Sequence, residues 1–105
     1  MVDLRILVAA DNLLARAGLA ALLSSQAGCE VVGQISGALL SDELQVYRPD
    51  AVVYDLGWET SPAVAHLTAL SETDSDMPVV ALLQDENAAL SVIGALRTEI
   101  NTPYG

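Results

Sequence analysis

Residues 49–58 read "PDAVVYDLGW", an apolar run closed by a carboxylate. Pro49 and Asp50 end whatever precedes them. Ala51, Val52, Val53 and Tyr54 do not alternate with polar residues, so the run reads as a parallel strand buried on both faces. Asp55 then stands at its carboxyl end, where it can ligate a metal, act as a nucleophile or cap a following turn.

Working outward, the same unit repeats. "LRILVAAD", residues 4–11, is an apolar run ending in Asp11, and "NLLARAGLAALLSSQAG", residues 12–28, follows with helical periodicity and Gly28 as the expected C-cap. "CEVVGQIS", residues 29–36, is a second β-branched run. "GALLSDELQVYR", residues 37–48, is a second helix, which must end before Pro49 because a residue preceding proline is pushed out of the α region. Beyond Asp55, "SPAVAHLTALSE" predicts a third helix with Ser61 as cap and Pro62 at its first position. The acidic loop "ETDSD", a fourth strand "MPVVALLQ" and a fourth helix "DENAALSVIGALRTE" complete the pattern.

Strict strand–helix alternation predicts an α/β fold, an open parallel sheet with helices on both faces. Ligands of such sheets sit at the carboxyl ends of the strands, where the chain order switches. In a flavodoxin-like order, 2-1-3-4, Asp11 and Asp55 converge on one crevice there. Two carboxylates so placed can hold Mg²⁺, and one of them can accept a phosphoryl group. A cap-only role for Asp11, just before a helix, is the competing reading. After Arg97, "TEINTPYG" contains no apolar run for a fifth strand. The fourth strand is therefore expected to form an exposed edge that invites pairing with another chain. Truncation, an altered C-terminus or strand exchange between protomers each accounts for that ending.

Composition narrows the function. One hundred and five residues hold one domain. The net charge is −10 and the cations are Arg5, Arg16, Arg48 and Arg97, with no lysine, so neither nucleic acid nor an anionic membrane is an expected partner of this chain. No run approaches a membrane span or a signal peptide, which predicts a cytoplasmic protein. Cys29 stands alone and reads as a small apolar filler. His66 reads as a partly exposed surface residue, and Trp58 as loop packing. Glu72, Asp74 and Asp76 read as a solvated loop. Gly33 and Gly37 do not form a dinucleotide fingerprint.

In order and spacing, "LRILVAADNLLARAGLAALL", "CEVVGQIS", "RPDAVVYDLGW" and "MPVVALL" resemble the receiver (CheY-like) domains of two-component response regulators. They most resemble the NarL/FixJ type, in which a helix-turn-helix domain follows. The resemblance covers residues 1–97, leaving 98–105 an unassigned tail, and is most specific at Arg16, Gly18 and Leu19 and at the "RPD…D" block. It implies that Asp55 is the phosphoacceptor, and that Asp11, Asp55 and the Gly57 carbonyl hold Mg²⁺. It also exposes departures. Ala10 stands where the family has a second acidic residue, Leu83 stands at the Ser/Thr switch position, and the family's lysine has no counterpart within these residues.

The expectation is an atypical receiver, not an enzyme, with weak Mg²⁺ binding and weak or absent phosphorylation of Asp55. It would act through protein contacts, homodimerisation among them. The alternative is a conventional receiver, phosphorylated by a histidine kinase and controlling an output domain absent from this chain. A phosphohydrolase of the haloacid dehalogenase kind needs an Asp two residues after the nucleophile, and Gly57 occupies that place.

Overall fold

The computed structural model describes residues 3–57, 60–73 and 76–82. Four parallel strands, β1 (Leu4–Ala10), β2 (Cys29–Ile35), β3 (Ala51–Asp55) and β4 (Val79–Leu82), form one sheet in the order β2-β1-β3-β4. Helix α1 (Leu13–Ser24) joins β1 to β2. A 3₁₀ turn (Gly37–Leu39) running into α2 (Leu40–Tyr47) joins β2 to β3, and α3 (Thr60–Thr73) lies between β3 and β4. The fold class and strand order are those expected from the sequence.

The central strands are buried on both faces, and their residues sort by parity. Leu7, Ala9, Val52 and Tyr54 join Leu40, Leu44, Leu67 and Leu70 in a core under α2 and α3. Ile6, Val8 and Val53 join Ala20 in a second core under α1. This is why β1 and β3 read as continuous apolar runs: a strand with helices on both sides has no solvent face to make polar. Cys29 packs half-buried against the α1-side core, in keeping with an apolar filler.

The helix ends depart from expectation in two places. Gly28 is not the C-cap of α1, which stops at Ser24 with Ser25 as cap. Gly28 instead takes a left-handed φ of +85° and offers its carbonyl to the Leu4 amide, so it turns the chain into β2 rather than ending the helix. Ser61 is not the cap of α3, which already includes Thr60. Pro62 is thereby the third helical residue, still inside the first turn, where the missing N–H has no intrahelical partner to lose. At the end of α2, Arg48 adopts φ +47°, ψ +56°, a left-handed cap, and Pro49 after it cannot continue the helix.

Arg5 secures that helix end from across the sheet. Its guanidinium donates to the Tyr47 and Arg48 carbonyls at 2.8 and 2.9 Å, and its backbone N–H donates to Asp50 Oδ2 at 2.8 Å. Among the described residues no helix is long and apolar enough to cross a membrane. Val80, on β4, is 53 % exposed. The expected fourth helix, Leu83, Trp58, Asp74 and the tail 98–105 lie outside the described residues.

Candidate functional site

β1 and β3 end side by side, with Ala10 in register with Asp55. The next residue along β1 is Asp11, and the two carboxylates line one cavity of about 320 Å³ together with Ala10, Asn12, Leu14 and Gly57. The convergence follows from topology. Placing β1 next to β3 and sending α1 and α3 to opposite faces opens the crevice between the two chain exits.

Asp11 does not cap α1. Asn12 does, its Oδ1 accepting the Ala15 amide at 3.0 Å. Asp11 Oδ1 instead accepts the Gly37 amide at 2.9 Å, from the start of the 3₁₀ turn after β2. Asp55 Oδ1 accepts the Gly57 amide at 2.9 Å, a tight turn that the glycine's φ of +68° permits. Each carboxylate thus fixes its orientation with one backbone hydrogen bond at Oδ1, and among the described residues its Oδ2 accepts no other.

This donor set fits a hard cation. Mg²⁺ takes one or two carboxylates and fills its octahedron with water, carbonyl and phosphate oxygens. Asp11, Asp55 and the Gly57 carbonyl are of the right kind. Ala10 supplies no third charge; its buried carbonyl accepts the Arg16 guanidinium at 3.1 Å. Among the described residues no three His, Cys, Asp or Glu side chains gather around one point, so a cation here would be held by two carboxylates, the Gly57 carbonyl and solvent.

Behind the crevice lies a feature that reading along the sequence missed. Tyr54, fully buried on the α3 side of β3, brings its hydroxyl to 2.9 Å from His66 Nδ1, and the two rings stack at 6.5 Å between centroids. His66 is partly exposed, as expected, but it also has a defined partner in the Tyr54 hydroxyl. Burial, and secondarily the Asp11 carboxylate, push the Tyr54 phenol well above its usual range, so it stays neutral. Gly37 sits directly over this pair: a Cβ there would collide with the Tyr54 hydroxyl. The available signal was a tyrosine inside a strand buried on both faces, since a buried phenol needs a hydrogen-bond partner.

No protein-family model matches the chain. No curated protein sequence matches it significantly. Solved structures do. A two-component response regulator of the LuxR family from Aurantimonas sp. SI85-9A1 superposes with a TM-score of 0.73 at 21 % identity, over 89 % of this chain and 69 % of that one. The isolated receiver domain of RcsB from Salmonella enterica serovar Typhimurium, determined with the phosphomimetic BeF3⁻, gives 0.71 at 17 % identity, over 92 % and 74 %. The response regulator domain of CheB from Thermotoga maritima gives 0.68 at 27 % identity, over 90 % and 72 %. The fold is that of response regulator receiver domains.

Proposed function

We propose that this chain is a receiver module of two-component signalling in which Asp55 holds the phosphoacceptor position but is phosphorylated weakly or not at all. It would signal through protein contacts, with a histidine kinase or its own output domain as the partner class. The observation that carries this reading is the composition of the crevice. Asp11 and Asp55 line it together, while Ala10, in register with Asp55, brings no second acidic side chain to the end of β1.

The consequence is electrostatic. A transferred phosphoryl group is stabilised by a bound cation and by charge-assisted contacts to its oxygens. With two carboxylates the crevice attracts Mg²⁺ less strongly than with three. Within these 105 residues there is also no lysine to meet the phosphoryl oxygens. Asp55 would then be ready for the chemistry in position but poorly served in charge.

A second reading, conventional phosphoacceptance, draws support from the same cavity, since Asp11, Asp55 and Gly57 all line it. Titrating Mg²⁺ with beryllofluoride, a phosphoryl mimic, into ¹⁵N-labelled protein separates the two, with Asp55→Asn as control. The atypical reading expects no saturable shift of the Asp11, Asp55 and Gly57 amides below millimolar ligand in a folded sample. Saturable micromolar shifts that vanish in Asp55→Asn would establish the conventional receiver and overturn the proposal.

A further inference from the structure

Gly37 lies between the crevice and the Tyr54–His66 pair, and touches both. Its N–H holds Asp11 Oδ1 at 2.9 Å. On its other side, a Cβ would run into the Tyr54 hydroxyl and come within 2.9 Å of His66 Nδ1. Four groups from four parts of the fold are thus in one chain of contact: Asp11 after β1, Gly37 after β2, Tyr54 on β3 and His66 on α3.

We propose that His66 is a positioning residue for Asp11: through the Tyr54 hydroxyl and the Gly37 backbone, the protonation state of its imidazole sets the orientation and field of that carboxylate. For its effect on cation binding, the inference rests on the receiver reading of the crevice given above.

One phenol proton couples the two groups. Tyr54 stays neutral through the range in which histidine titrates, so its hydroxyl always carries a hydrogen to donate. With His66 neutral and protonated on Nε2, Nδ1 accepts that hydrogen across 2.9 Å. When the imidazole gains a proton, Nδ1–H becomes the donor and the tyrosine oxygen the acceptor. The phenol hydrogen must then rotate away from the imidazole, beside the Gly37 backbone that holds Asp11 Oδ1. Protonating His66 therefore turns an O–H dipole within the Gly37 contact and adds a positive charge behind the crevice.

Among the described residues, the elements packed around His66 carry the following titratable groups. The 3₁₀ turn Gly37–Leu39 contributes no titratable side chain, and β3 contributes Tyr54 and, at its end, Asp55. Helix α2, packed on α3, carries Asp42, which is exposed, and Glu43 and Tyr47, which are half-buried; α3 itself carries Glu72, exposed a turn and a half away.

The test is an NMR titration of the ¹⁵N-labelled chain between roughly pH 5 and 8, where histidine changes charge. In the wild type the Gly37 amide should shift with the same midpoint as the His66 ring signals. The inflection should disappear in His66→Gln. In Tyr54→Phe it should shrink sharply although His66 still titrates; thermal melts show that each variant is folded. Mn²⁺ binding, read from paramagnetic broadening, should weaken roughly 3- to 10-fold in the wild type as His66 protonates, but not in His66→Gln. A wild-type Gly37 amide that ignores the His66 midpoint, or an inflection undiminished in Tyr54→Phe, overturns the inference. Absence of Mn²⁺ broadening with the Gly37 inflection intact would instead remove the metal part of the receiver reading and leave the positioning contact standing.

Discussion

Tyr54 shows most clearly how one side chain can tie a site to the core behind it. Its ring fills the α2/α3 side of the sheet, its hydroxyl meets His66, and the next residue along β3 is Asp55. Because burial disfavours the phenolate, the folded state binds the phenol proton more tightly than the unfolded chain, whose tyrosine ionises near its ordinary value of about 10. The sign follows by linkage. Stability is unaffected below about pH 10 and falls as pH rises above it, because the unfolded chain then releases the proton first. Alkaline titration followed by tyrosinate absorbance should therefore show a late step coincident with unfolding, missing in Tyr54→Phe; a Tyr54 that ionises in the native chain at the ordinary value would contradict this. Asp11 and Asp55 were legible in the sequence because each directly ends an apolar run. His66 was not, because its partner lies twelve residues away across a strand-to-helix crossing, and helical periodicity does not report what a side chain meets in another element.

At the scale of elements, strands were easier to read than helix ends. The span of β3, Ala51–Asp55, coincides with the apolar run and the carboxylate that closes it, since burial on both faces leaves no charged residue before Asp55. Helix boundaries depend on which of several competent residues does the capping. Asn12 took that role from Asp11 once the Gly37 amide was there to hold Asp11, and Gly28 was spent on the turn into β2. The end of α2 depends on a residue far from it in sequence. Arg5 brings a guanidinium to the last carbonyls of the helix, where a cation meets both unsatisfied acceptors and the negative end of the dipole. Arg5→Met, which keeps the apolar stem, should cost about 1–2 kcal/mol in urea unfolding. Arg5→Lys should recover only part of that, because an ammonium does not reproduce the two-pronged geometry. A midpoint for Arg5→Met equal to that of the wild type would show that the helix end holds without it.

At the scale of the molecule, charge dominates. A net charge of −10 is spread over the surface, with Asp3, Glu30, Asp42, Asp50, Glu72 and Asp76 all exposed, and only four arginines oppose it. Self-repulsion of this kind works against the compact state and is screened by salt. Raising NaCl from about 10 mM to about 150 mM should lift the melting temperature by a few degrees. A fall over that range would mean that attractive pairs, not repulsion, govern the surface.

The alternating strands and helices, the parallel sheet and the two acidic strand ends are legible along the chain, because burial on both faces and chain punctuation leave their mark on consecutive residues. Folding alone brings Asp11 to Gly37, Tyr54 to His66 behind it, and Arg5 to the end of α2. Each of these is a contact between residues far apart along the chain, and its geometry exists only once β1 has taken its place between β2 and β3.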